Sequence, residues 1–404
     1  MDSRPVNLRQ RRSWVAPVLI IGAGPAGLAT AACLTAKSIP YLVLEREDCS
    51  GSLWKYKTYE RLHLHLPKQY CQLPLFPFPA SYPTYPSCEQ FIVYLENYRE
   101  HFGIHPVYNT KVTLVEYFSA VGYWIVTAEE KPSYNEHVKI VRYLARSVVI
   151  ATGENGDPYM PSFSGEEKFT GEISHSMTYR SGEKYEGKKV LVVGVGNTGM
   201  ELALDLANFG AMPTLVARSK IHIMPRDLLG VFSTFDASLK LLKIFPMWFA
   251  DKILVFLSWL TLGCTDKYNL IRPAEGPLQM KKMTGHTPVL DVGTVAKIRS
   301  GHIKVVPAID QLTEDGATFE NGVEEKFDAI IMATGYKCSV TSEWFKVEGE
   351  PFEKEEIFNA EWKGRYGLYP VGMSKQGLMG CARDAVHVAN CIADLEANRR
   401  INPT

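Results

Sequence analysis

Most strands announce themselves by alternation, but two stretches of this chain are apolar at every position and run straight into glycines. Val18-Leu19-Ile20-Ile21 and Val190-Leu191-Val192-Val193 predict parallel strands covered on both faces. The first is followed by Gly22-Ala23-Gly24-Pro25-Ala26-Gly27, the second by Gly194-Val195-Gly196-Asn197-Thr198-Gly199. Helical patterns follow over 26–36 and 200–209, the latter with Gly210 as its stop, and second strands over 41–44 and 213–217. One glycine pattern alone is weak evidence. Two in a strand–turn–helix setting predict an α/β chain with two Rossmann-like dinucleotide-binding domains.

The glycines have separate duties. Gly22 and Gly194 permit the tight turn, Gly24 and Gly196 let a pyrophosphate approach the backbone, and Gly27 and Gly199 let helix and strand pack closely. The helix N-terminus then aims unpaired N–H groups at the phosphates. In the first copy the second strand ends at Glu45, within the usual window of about 20 residues, where a carboxylate accepts from ribose hydroxyls. The second copy has Arg218 at the equivalent strand end, a partner for a 2′-phosphate. The economical reading is FAD in the first site and NADPH in the second. Arg46, Leu53, Trp54 and Thr152 complete the first site, and Val195, Asn197, Thr198, His175, Thr334 and Gly335 the second.

Strands near 112–117 and 123–128 predict a small β-meander, and 146–150 returns to the first sheet before Ala151-Thr152-Gly153. A second strand with this ending, Ala329-Ile330-Ile331-Met332-Ala333-Thr334-Gly335, follows the second fingerprint. The expected organisation is nested, with an NADPH domain at 180–326 inserted into an FAD domain formed by 1–179 and 327–404. The proline-rich segment 74–86 excludes helix and central strand and predicts an ordered aromatic loop leading into a helix over 89–101.

Composition narrows the setting. Forty-four basic residues balance 44 acidic ones, so nothing favours nucleic acid. Arg4, Arg9, Arg11 and Arg12 precede no apolar h-region, which reads as a solvated tail rather than a signal peptide. The eight cysteines form no C-x-x-C pair and no metal-ligand spacing, and read as reduced thiols of a cytoplasmic protein. The apolar segment 239–262 is broken by Lys240, Lys243, Asp251 and Lys252, and its longest clean piece, 253–263, is short of the roughly 20 residues a span needs. It is expected to form amphipathic helices covering a pocket, with peripheral endomembrane contact as the lesser alternative. Oligomeric state is left open.

Between the two Ala-Thr-Gly stretches stands Phe169-Thr170-Gly171-Glu172-Ile173-Ser174-His175-Ser176-Met177-Thr178-Tyr179. It resembles the F-x-G-x-x-x-H-x-x-x-[YF] signature of the class B flavin monooxygenases. Residues 58–69, Pro77-Phe78-Pro79, His222-Ile223-Met224-Pro225-Arg226, residues 287–293, Ala333-Thr334-Gly335-Tyr336 and Ser374-Lys375-Gln376-Gly377-Leu378 resemble the plant YUCCA branch. That resemblance implies FAD, NADPH and O₂, a C4a-peroxyflavin, and conversion of indole-3-pyruvate to indole-3-acetate with loss of CO₂. It implies no covalent enzyme intermediate. His65 and His175 become flavin- or NADP-positioning candidates, and Asp384, expected ahead of the last helix, a flavin contact.

The wider N- and S-oxygenating branch usually carries Asn where this chain has His65. The chain also departs from the pattern at Ser50-Gly51, Cys381 and Arg383. For the substrate carboxylate, Lys68, Arg226, Lys281 and Lys282 are all eligible. N- or S-oxygenation of another small molecule, an uncoupled NADPH oxidase and a flavin-binding regulator without turnover stay open beside the 2-oxo acid reading.

Overall fold

The computed structural model describes residues 14–131, 137–228, 230, 232–337, 344–347, 349–351 and 365–401. The basic residues Arg4, Arg9, Arg11 and Arg12, and Cys338, lie outside them. The strands that build the two main sheets are β1 (Trp14–Ile21), β2 (Tyr41–Leu44), β3 (Thr110–Phe118), β4 (Tyr123–Glu130), β5 (Lys139–Ile150), β6 (Glu172–His175), β7 (Lys189–Val193), β8 (Met212–Val216), β9 (Lys304–Val306), β10 (Ala329–Met332), β11 (Phe345–Val347) and β12 (Leu368–Pro370). The helices are α1 (Pro25–Ala36), α2 (Ser52–Tyr56), α3 (Cys88–His101), α4 (Asn197–Asn208), α5 (Thr234–Ile244), α6 (Met247–Leu262), α7 (Pro277–Thr284), α8 (Thr294–Arg299) and α9 (Gly377–Ile401).

The first sheet runs β2-β1-β5-β4-β3-β11, with Glu350–Pro351 pairing antiparallel with β11 at its edge and β12 beside β5; the second runs β9-β8-β7-β10-β6. β1, β2 and β5 are parallel, whereas β3, β4 and β5 form the antiparallel meander. All pairings in the second sheet are parallel. The unbroken apolar runs explain themselves here. Val18 and Ile20 enter one core beneath α1, α3 and α9, while Leu19 and Ile21 enter another with Val115, Trp124 and Val126. Val190 and Val192 likewise face one core, and Leu191 and Val193 the other. A strand with two buried faces has no position left for a polar residue.

α1 is apolar all round and buried from Ala26 to Leu34 because it is packed between its sheet and α9. α3 begins with a capping box in which Ser87 accepts from the Gln90 N–H and Gln90 accepts from the Ser87 N–H. The proline-rich loop is ordered by α3. Tyr94 donates its hydroxyl to Phe76 O at 2.7 Å, Tyr98 donates to Pro74 O at 2.8 Å, and Phe78 stacks on Tyr94 with centroids 4.0 Å apart.

The second sheet extends beyond the segment between its two expected boundaries on both sides. β6 and β10 pair residue by residue, and β10 also pairs with β7, so the second sheet reaches outward past both 180 and 326. The backbone hydrogen bonds of β10 go to β7, which outweighs its likeness to the strand before the first Ala-Thr-Gly. The chain therefore crosses between the sheets on either side of β6 and β10, and Tyr336-Lys337 pairs antiparallel with Asp157-Pro158 at the crossing.

Candidate functional site

Each fingerprint builds the same small cradle. Gly22 has φ 107°, and a Cβ there would meet Ala151 O at 2.5 Å; Gly194 has φ 116°, and a Cβ would meet Ala333 O at 2.5 Å. At Gly27 and Gly199 a Cβ would stand 1.9 Å from the carbonyl oxygen of Gly22 and Gly194, respectively. At Gly24 and Gly196 it would meet nothing within 4 Å. Four glycines are thus demanded by the fold itself. The middle pair is different, because the space above it lies open in front of a helix N-terminus, where a phosphate group fits.

The first cradle opens into a cavity of about 260 Å³ whose walls include Gly24, Pro25, Ala26, Glu45, Arg46, Leu53, Trp54 and Thr152. All eight stand among the sequence candidates for this site, with Gly24 as its floor. Glu45 is buried, accepts from the Ala23 N–H at 2.6 Å and from the Glu47 N–H at 3.0 Å. Burial pushes its carboxyl above the ordinary range, while these amides pull it back. Two further lone pairs remain on the carboxylate for a hydroxyl ligand. The Thr152 hydroxyl is buried without a hydrogen-bond partner. Trp54 sits edge-on against Phe91 at 4.5 Å, which fixes its ring at the wall.

Asp384 is not ahead of the last helix but inside it, because α9 already starts at Gly377. Its Oδ2 accepts from the Gly372 N–H at 3.0 Å, which ties the helix to the loop after β12. Burial is the main force raising its carboxyl above the usual value, as it is for Glu154. Cys381 lines the same cavity, and burial pushes its thiol up to about 12. The departure at 381 therefore places an inert, protonated thiol there rather than a nucleophile.

In the second cradle Asn197 directs its Oδ1 to the Leu290 N–H at 2.8 Å, so that side chain braces the cradle. Val195 is buried, and Thr198 is half-exposed at the helix start. Arg218 is exposed just past β8, with no ion pair among the described residues. Thr334 donates to Tyr159 O at 2.5 Å, and the Gly335 carbonyl accepts from the Tyr159 N–H at 3.0 Å.

His175 has a defined tautomer. Its Nδ1 accepts from the Met177 N–H at 3.1 Å, so Nε2 carries the proton and donates to Gly335 O at 3.0 Å. Burial holds its pKa below the ordinary imidazole value, against the smaller pull of that carbonyl. The whole signature is a set of stitches. Tyr179 donates to Asp205 Oδ2 at 2.7 Å, Asp205 also accepts from the Gly182 N–H at 2.9 Å, and Gly171 has no room for a Cβ beside Asp328 O at 2.7 Å.

His65 does not stand free. Its Nε2 lies 2.7 Å from Oε1 of Glu201, a buried carboxylate on α4. Arg180 reaches across in the same region, donating to Tyr56 O and, at 3.2 Å, to Thr58 O. Glu201 and Asp205 escaped sequence reasoning because charged residues on a helix ordinarily face water. Their one signal was position, one turn apart on the helix that a fingerprint had already marked as buried.

The four candidate cations separate. Lys68 donates to the carbonyls of Pro79, Ala80 and Tyr82 at 3.1, 3.1 and 2.6 Å, and is used up in closing the proline-rich loop. Arg226 lies over the Tyr85 ring at 4.1 Å, beside Asp227, in a cavity of about 770 Å³ between residues 63–85 and 226–240. Lys281 is half-buried on α7 and burial lowers its pKa; Lys282 is exposed. No group of residues able to hold a metal occurs among the described residues.

Comparison with known proteins agrees with this geometry. The model of the family described as flavin-binding monooxygenase-like matches residues 16–347. The chain is 46% identical over 409 residues to probable indole-3-pyruvate monooxygenase YUCCA8 of Arabidopsis thaliana, covering 100% of this chain and 95% of that protein. It is 46% identical to indole-3-pyruvate monooxygenase YUCCA1 of Oryza sativa subsp. japonica, covering 97% and 95%. Among solved structures, the flavin-containing monooxygenase from Stenotrophomonas maltophilia superposes with a TM-score of 0.67 at 20% identity, covering 95% of this chain and 99% of the other. That likeness extends to the fold. With two cradles, the intervening signature and matches along its full length, the chain belongs to the flavin-binding monooxygenase-like family.

Proposed function

We propose that this chain is an NADPH- and O₂-dependent flavin monooxygenase that converts indole-3-pyruvate to indole-3-acetate and CO₂. The observation carrying the substrate is the 46% identity to proteins named as indole-3-pyruvate monooxygenases, which runs through both cradles and everything between them. In the balance, one atom of O₂ enters the acid, the other leaves as water, NADPH supplies two electrons, and the carboxyl carbon departs as CO₂.

The residues present fit both cofactors. FAD would lie over Gly22, Ala23, Gly24, Pro25, Ala26 and Gly27, where the open space at Gly24 and the unpartnered Thr152 hydroxyl await polar ligand atoms. Glu45 would receive its ribose hydroxyls, with Arg46, Leu53 and Trp54 as walls and Asp384 fixing the turn at Gly372. NADPH would lie over Gly194–Gly199, with Arg218 meeting its 2′-phosphate and Thr334 and Gly335 forming the adjoining turn. Bound FAD accepts electrons from NADPH and activates O₂. The protein's part is to orient and to exclude water. His175, neutral and held at both nitrogens, positions the crossing strand rather than moving protons. His65 joins the loop 63–85 to α4 through Glu201. We place the protein in the cytoplasm, in keeping with its seven described cysteines, all of them free.

The test is a balance sheet of products. Protein supplied with NADPH, O₂ and indole-3-pyruvate labelled at its carboxyl carbon is expected to release one labelled CO₂ and form one indole-3-acetate per NADPH. Oxygenation of an amine or thioether with no CO₂ from the keto acid would move it to the N- or S-oxygenating class. Hydrogen peroxide equal to the NADPH consumed would make it an oxidase.

A further inference from the structure

α6 is built inside out. Its inward residues include Ala250, Asp251 and Ser258, while Trp248, Phe256, Trp259 and Leu260 are 59%, 57%, 53% and 58% exposed. Trp248, Lys252, Phe256 and Trp259 succeed one another at spacings of four, four and three, so they form one stripe along the helix. The orientation is locked by hydrogen bonds. Asp251 accepts from the N–H groups of Leu278 and Gln279 at the start of α7, at 2.8 and 3.2 Å. Ser258 donates to Ile223 O at 2.8 Å and accepts from Arg272 at 3.2 Å. Turning the aromatic stripe inward would break all four. At the α5–α6 junction Leu242, Ile244, Phe245 and Phe249 extend the same exposed apolar surface.

The charge on this surface has one sign. Lys240, Lys243 and Lys252 are exposed and enter no ion pair among the described residues; Lys252 sits over the Trp248 ring at 5.2 Å. The two acids of these helices are engaged inward, Asp236 with the Tyr70 hydroxyl at 2.6 Å and Asp251 with α7. Tryptophan and lysine around an apolar stripe suit the boundary between water and hydrocarbon, where rings sit among headgroups and ammonium groups meet phosphates. A helix of 16 residues is about 24 Å long, short of a hydrocarbon core, and its inner face is committed to protein. No helix of the described residues is long and apolar enough to cross a membrane. A second copy fits poorly, since a two-fold contact here would set each lysine row against itself.

We propose that the α5–α6 surface docks on anionic phospholipid, with α6 lying in the plane of the headgroups. The inference does not depend on the substrate assigned above. It is tested by floating the full-length protein with vesicles of phosphatidylcholine alone and of phosphatidylcholine mixed with phosphatidylserine. Flotation is expected with the mixed vesicles, weakening as salt rises, with a blue shift of tryptophan emission. Replacing Lys240, Lys243 and Lys252 together by Gln should lower the partition coefficient about fivefold per lysine. Trp248→Ser with Trp259→Ser should abolish flotation and the blue shift, with the melting temperature confirming that the variants fold. Absence of flotation, equal flotation with both vesicle types, or binding that survives both sets of substitutions overturns the proposal. So does a concentration-dependent dimer without flotation that the tryptophan variants dissolve. The wild-type comparison of the two vesicle types decides without any variant.

Discussion

One methyl group separates the two kinds of glycine in each fingerprint. At Gly27 it would lie 1.9 Å from Gly22 O, so Gly27→Ala must displace α1 from its sheet, at a cost of about 1–3 kcal/mol or more. At Gly24 the added methyl meets no protein atom, so Gly24→Ala should keep the melting temperature of flavin-free wild type while losing flavin. Flavin absorbance per polypeptide, read beside thermal melts of both apoproteins, checks the pair; equal destabilisation by both changes would contradict the cradle. Arg218→Gln addresses the second site in the same spirit. Loss of a charge-assisted phosphate contact, about 1.5–3 kcal/mol, should raise the KM for NADPH by tenfold or more and leave that for NADH nearly unchanged. His175 gives a pH signature. Its folded pKa lies below the ordinary 6.5, so the unfolded chain binds its proton first, and its contribution to stability is present above 6.5 and lost as pH falls. Denaturant melts of wild type and His175→Gln should therefore converge on acidification, because the variant has less of that contribution to lose.

Among the elements, α4 does the most beyond what its pattern announces. Its apolar stripe and the glycines before it were legible from sequence, as were α1, the parallel strands, the meander and the helix after the proline-rich loop, all of which follow from local periodicity and turn chemistry. What stayed hidden depends on partners distant in the chain. Glu201 finds His65, Asp205 finds Tyr179, and Lys68 finds three carbonyls of its own loop, and no spacing rule links such positions. The sheet that receives β10 is of the same kind, since its Ala-Thr-Gly ending copies the strand of the first domain while its hydrogen bonds go to the second. The first-site candidates line one cavity because a glycine fingerprint fixes local geometry. Tyr179→Phe tests the buried pairing on α4. It keeps the ring against Tyr185, 6.0 Å between centroids, and deletes only the hydroxyl that Asp205 accepts. A loss of about 1.5–3 kcal/mol in denaturant melts is expected, as for a hydrogen bond to a charged group.

Taken whole, the molecule is two dinucleotide units joined by polar bridges and by Tyr59 and Leu62, which pack into the core of the second unit. The buried apolar clusters divide by sheet, with the β1 strand feeding one pair and β7 the other. Across the division run His65 to Glu201 and Arg180 to the carbonyls of Tyr56 and Thr58. Tyr56 ends α2, the helix that also contributes Leu53 and Trp54 to the first cavity, and Arg180 follows directly on the signature held to the second sheet. Arg180 is thus a positioning residue between a cavity wall and the second cradle. Removing its side chain alters neither cradle's own residues but loosens the placement of one cradle against the other, so Arg180→Ala should bind FAD and NADPH with near wild-type affinity. Hydride transfer is far more sensitive to distance than binding is. A misplacement of about 1 Å costs on the order of a hundredfold, so anaerobic reduction of the flavin by NADPH should slow by one to two orders of magnitude. Arg180→Lys retains the charge but not the fork that reaches several carbonyls, and should recover only part of the rate. Stopped-flow reduction at saturating NADPH separates this from a binding defect. Unchanged reduction in Arg180→Ala would mean that the bridge only stabilises the fold, and that the cradles are held in register by other contacts.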